Sequence, residues 1–238
     1  MDEDERDDVE AQALDAMIEL YGDQMARILA ALGSVNLQTL TAAQLAALFA
    51  DEPELTAAAY IEFWLPIAEA LALAGVIDLV GAGNPALNPA GSALSDGVET
   101  LLERYMRLTG ELFGEQISDN SRQLTFEVIQ NWRVDEGATV ADLRQSLRKV
   151  WEGPRPEFAA TTETTRIVAE SRGIAWREAE FWGFDIVTRG IRTRETHQAV
   201  ADAGPYPMSL WDEQHVPPLF GDVNCFCDVL PVVEDPNG

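Results

Sequence analysis

The chain has two histidines and two cysteines, and all four (His197, His215, Cys225 and Cys227) fall within 31 residues. A Cys2His2 set is a complete tetrahedral shell for zinc, because thiolate and imidazole are the ligands that ion prefers. Cys225 and Cys227 are two apart, so a strand would turn both sulfurs to one face. A disulfide between such near neighbours would be strained. The competing reading is a packed cluster, since cysteine is often a small buried hydrophobe and this His spacing fits no standard finger. If a cofactor is present, it is zinc, held by His197, His215, Cys225 and Cys227.

Two further groups could do chemistry. Arg189, Arg192 and Arg194 form a positive spot just before His197. They could grip a phosphate, a partner's carboxylate, or the acidic first part of the same chain. Glu163 sits among Thr161, Thr162, Thr164 and Thr165, with Arg166 next. It could act as a general acid or base, but no second carboxylate, nucleophile or oxyanion-hole pattern accompanies it. The simpler expectation is a buried or helix-end hydrogen bond that orders the segment that follows. There is no phosphate-binding GxxxxGK[ST] loop, no GxGxxG after a strand, no GxSxG and no HExxH.

The elements that must position these residues read as mostly helical. Residues 9–32 carry apolar side chains at helical spacing, and Gly33 can end that helix. Thr41-Ala-Ala-Gln44 and Thr139-Val-Ala-Asp142 are helix-start patterns. A helix over residues 56–74 contains Pro66, which predicts a kink or break. Residues 81–92 read as a loop. Val98, Leu101, Leu102, Tyr105, Met106 and Leu112 then form an apolar stripe, and Asp119 could cap a new helix reaching Trp132. Residues 140–151 form the next helix, and residues 157–172 another, stopped near Gly173 and resumed at Trp176. Trp176 and Trp182 are placed to pack the C-terminal segment onto that helix. Residues 184–188 alternate and are β-branched, so they read as a strand. Residues 225–233 read as a second, with Pro231 demanding an edge or a strand end. The expected fold is mainly α with a small α+β C-terminal module, holding a short hairpin or small sheet.

Composition sets the surroundings. The formal charge is −25, which argues against a coat for nucleic acid and against specific nucleic-acid binding. Residues 1–100 carry 18 acids and only 2 arginines. Fifteen of the 16 basic residues are Arg. That pattern fits a salt-adapted host, where screening makes a carboxylate surplus tolerable, and equally a GC-rich genome. Residues 65–82, the most apolar run, are broken by Glu69 and Asp78, so no membrane association is expected. The expected organisation is an acidic lead (1–8), a helical docking region (9–82), a linker loop (83–95), a helical part (96–183) and a small mixed module (184–238).

Residues 118–232 resemble a known family. A helix–turn–helix segment (128–151) is followed by Thr162-Glu163-Thr164 on a helix. Next come Arg192, Arg194 and His197 after a strand, then Pro217-Pro218 and Asn224-Cys225-Phe226-Cys227. In that order and spacing the segment resembles the Mu F-like minor head proteins, or head morphogenesis proteins, of tailed double-stranded DNA viruses. It departs from them at Thr161 and Phe226, where arginine is usual, and at Gly190, where aspartate is usual. It also lacks the histidine often found just before Asn224. The resemblance implies a non-catalytic protein of the virion head and portal vertex, made in the host cytoplasm. Its implied partners are the portal protein and the major capsid protein, and its implied roles are head assembly, genome packaging or delivery. Two other classes stand beside it. One is a small metal-dependent hydrolase or transferase using Glu163, His197, Cys225 and Cys227; the other is a prophage-derived interaction module.

Overall fold

A computed structural model describes residues 3–77, 79, 84–88, 93–188, 195–213 and 227–236. The order of elements is α1 (Glu3–Leu32), α2 (Ala42–Leu48), α3 (Glu52–Ala74), α4 (Asp96–Val134), α5 (Val140–Arg148), α6 (Arg155–Glu178), β1 (Gly183–Val187), α7 (Glu195–Asp202), β2 (Tyr206–Pro207), α8 (Ser209–Glu213) and β3 (Asp228–Val232). The chain is mainly helical, with one small antiparallel sheet near its C-terminus, in line with the expected fold class.

Several elements begin where local chemistry places them. Thr41 and Thr139 each accept a hydrogen bond from the backbone N–H three residues on, and Gln44 and Asp142 return the bond to the cap. Those two reciprocal boxes satisfy backbone donors that a helix start otherwise leaves bare. The same bonds hold the Asp142 carboxyl below its ordinary value, the Thr139 hydroxyl contributing most.

The chain divides into two compact units that do not follow the expected boundaries. One comprises residues 1–13, 64–105 and 158–238; the other comprises 14–63 and 106–157. The 83–95 segment therefore lies inside the first unit rather than between two domains.

Among the first four helices, three differ from expectation. First, α1 begins at Glu3, so most of the acidic lead is helical and holds Arg6 at 1% exposure. Second, α3 continues through Pro66 without a break. Trp64 and Ala68 on either side are fully buried, so packing outweighs the lost hydrogen bond. Third, α4 runs unbroken for 39 residues. Asp119 sits in its middle, paired with Arg122 at 2.8 Å rather than capping anything. Val98, Leu102 and Met106 face inward as expected, but Leu101 and Leu112 are exposed. Beyond Met106 the inward face is mostly small or polar: Thr109, Gly110, Gly114, Ser118, Ser121 and Thr125 are buried, together with Phe113 and Ile129.

In the second unit, that small face lets α3 and α4 approach closely: a Cβ at Gly110 would stand 2.8 Å from the Ile61 side chain. Gln24 is buried there, accepting from Trp151 Nε1 at 2.8 Å and donating to Ser118 at 3.4 Å. Arg27 clamps Glu52 through two bonds of 2.9 and 2.8 Å.

In the first unit, the sheet order is β2-β1-β3. Gly183–Val187 pairs antiparallel with Asp228–Val232, Phe184 opposite Pro231. Both strands lie within a residue or three of the expected spans, and Pro231 is on an edge strand as its missing N–H requires. The two-residue strand β2 had no signature within its proline-rich surroundings.

The stretch Ala42–Ala74 is long and apolar enough to cross a membrane by length and composition, and a third of its most apolar window is buried within the chain. Core helices pass the same test. On α3, burial and the carboxylates of Glu99 and Glu103 raise the Glu69 pKa above its ordinary 4.5. A raised carboxyl pKa means the folded state binds the proton more tightly. The penalty on the folded state is therefore absent at acid pH, grows as pH rises through that raised value, and is complete at neutrality. Glu69→Gln should raise the melting temperature at pH 7 by about 1 °C, a small gain because the half-buried group is still screened by solvent. The gain should vanish in acid and shrink in molar salt. Equal melting temperatures for both proteins at pH 7 in low salt would refute it.

Candidate functional site

The residues singled out in the sequence converge on α6. The helix starts with Pro156 in its first turn and Glu157 beside it, and Arg177 lies in its last turn, all favourable placements. From Ile167 to Trp176 every side chain is buried. A helix enclosed on all sides is usually apolar, yet this one buries Thr161, Glu163, Thr164, Thr165, Glu170 and Arg172. Polar groups in that position need partners, because each uncompensated one costs about 1–3 kcal/mol.

For Thr161, Thr165, Glu170 and Arg172 the partners come from distant parts of the same unit. The Thr161 hydroxyl donates to Glu10 Oε1 of α1 at 2.6 Å. Arg6 of α1 donates through Nη2 to Thr165 Oγ1 at 2.6 Å and through Nη1 to the Cys227 carbonyl at 3.3 Å. Arg166 donates to Glu163, one turn back. Trp211 Nε1 of α8 donates to Glu170 Oε2 at 3.2 Å. Arg172 donates to Asp228 Oδ1 at 3.2 Å and to the Val229 carbonyl at 3.4 Å, both on β3.

Gly173 does not stop the helix. It makes room for Trp211, because a Cβ at this position would stand 2.5 Å from the indole ring. That indole packs edge-on against Trp176 and Phe184, with centroids 6.3 and 4.7 Å apart. Trp176 Nε1 donates to the Gly75 carbonyl at 2.9 Å. Trp176 thus packs this unit as anticipated, and Trp182 joins it through backbone bonds to Val233 and Met208.

Of the four His and Cys residues, the structure brings two together. His197 on α7 and Cys227 at the start of β3 are each 2% exposed, with Cys227 Sγ 3.5 Å from His197 Nδ1. One sulfur and one imidazole nitrogen supply half of a zinc shell. His215 and Cys225, which would complete it, lie outside the described residues, as do Arg189, Arg192, Arg194 and Asn224. Among the described residues no group of three or more His, Cys, Asp or Glu could hold a metal ion.

The Thr-Glu-Thr segment is largely interior. Thr162 is half-buried and bonds back to the Phe158 carbonyl at 2.7 Å. Glu163 is 5% exposed and Thr164 fully enclosed. Glu163 accepts a part-buried hydrogen bond from Arg166. The arrangement ties α1, α6, α8 and β3 into one polar hub. Arg6, Glu10, Glu170, Arg172, Trp211 and Asp228 have no motif of their own; the only local hint is Arg6, the lone cation in an acidic run. No family model matches the chain, and it matches neither a curated protein nor a solved structure.

Proposed function

We propose that this protein is a minor head protein of a tailed double-stranded DNA virus. It associates with the portal vertex and assists head assembly, genome packaging or delivery. Its first half docks on the portal or the capsid, and the hub around α6 holds the C-terminal module in a fixed shape. The observation that supports this reading is how the Thr162-Glu163-Thr164 segment is used. Glu163 and Thr164 are enclosed, and Glu163 is bonded to Arg166, which suits a structural role better than proton transfer to a substrate. The surplus of 41 acids over 16 bases would keep such a protein off packaged DNA.

The test is a count of this chain against the portal protein in purified particles by quantitative mass spectrometry, together with co-expression of the two. A fixed low ratio and retention on the portal ring are expected. Absence from particles combined with no retention on a co-expressed ring would overturn the proposal and favour an interaction module unconnected with the virion.

A further inference from the structure

We infer that the first three turns of α1 are an ionic-strength-sensitive strap, closed over the Thr-Glu-Thr face of α6 and the start of β3. The contacts that hold it are specific. Arg6, 1% exposed, reaches Thr165 and the Cys227 carbonyl, and Glu10 accepts from Thr161. Ala13 closes the apolar end at 0% exposure. The net charge of this part of the chain opposes docking. Residues 2–8 contain six acids and the one arginine, in a chain of net charge −25. Glu5, Asp7 and Asp8 are exposed on the strap.

The two kinds of interaction respond differently to salt. The Arg6 bonds are buried and the Glu10 bond is half-buried, so added ions weaken them less than they weaken long-range repulsion. The repulsion between the strap's carboxylates and the rest of the chain is long-ranged, and its range falls from roughly 10 Å at 0.1 M salt to roughly 3 Å at 1 M. Salt therefore favours the closed strap, and dilution favours the open one. Opening would uncover Thr161, Thr165 and Cys227 while α6 stays packed against β3 through Arg172 and Asp228.

The experiment is hydrogen exchange by mass spectrometry on the full chain. It compares peptides covering residues 3–13 with peptides covering 160–178 at about 2 M and about 0.1 M salt. Exchange in 3–13 should accelerate at least about tenfold at low salt while 160–178 stays protected. Arg6→Gln should exchange fast in 3–13 at both salt concentrations. Asp7→Asn with Asp8→Asn, which alters no hub contact, should keep 3–13 slow even at low salt. Salt-independent exchange in 3–13 would overturn the inference. So would acceleration of both regions together, which is global unfolding, or an Asp7→Asn/Asp8→Asn protein as salt-sensitive as the parent. The last variant carries the test if Arg6→Gln does not fold.

Discussion

Asp228→Ala should destabilise the chain by about 3–5 kcal/mol, the cost of leaving a buried charge without its partner. Arg172 and Asp228 retain only 6% and 9% of their side-chain exposure and stand 3.2 Å apart. Their attraction compensates for desolvation only while both are present. Removing Asp228 strands the guanidinium against β3, and the Val229 N–H loses the carboxylate it donates to at 2.8 Å. The melting temperature should fall by about 10 °C or more. Arg172→Met combined with Asp228→Leu should recover at least about half of that loss, because an apolar pair of similar volume carries no desolvation cost. A double variant as unstable as Asp228→Ala would mean the site needs those polar groups for more than mutual neutralisation.

The expected changes also separate what the residues announce from what only the fold decides. Helix starts at Thr41 and Thr139 were legible because a capping box is a local bargain between residues three apart. The strand at residues 184–188 was legible from alternation, and the edge position of Pro231 from its missing donor. The meeting of His197 and Cys227 was suggested by residue chemistry alone. The hub was not legible, because Arg6 bonds across 159 residues to Thr165 and across 221 to Cys227. A lone arginine in an acidic run reads as a surface residue until its burial is known. Asp119 and Gly173 misled for a related reason. Their local propensities favour a helix end, but Asp119 pairs with Arg122 on an exposed face and Gly173 admits an indole. In both places packing along a long helix outweighs a preference of about 1 kcal/mol.

Three glycine-to-alanine changes should separate helix propensity from close packing. Alanine is better than glycine in a helix interior by about 1 kcal/mol. A Cβ at Gly22 meets nothing within 4 Å, so Gly22→Ala should show most of that gain. At Gly110 the new methyl would stand 2.8 Å from Ile61 Cγ1, and a side chain can shift, so gain and crowding should nearly cancel. At Gly114 it would collide with the Pro53 carbonyl oxygen and stand 3.1 Å from the Ala57 nitrogen. Those atoms are backbone in α3, so relief requires the two helices to separate. Separation would loosen the contact between Tyr60 and Phe113, whose centroids are 4.6 Å apart. Overpacking of this kind costs about 3 kcal/mol, several times the propensity gain, so Gly114→Ala should melt about 5–10 °C lower. Thermal unfolding of the three variants at one salt concentration decides the matter. If Gly114→Ala melts at or above the parent, α3 and α4 are not held at this spacing by Gly114.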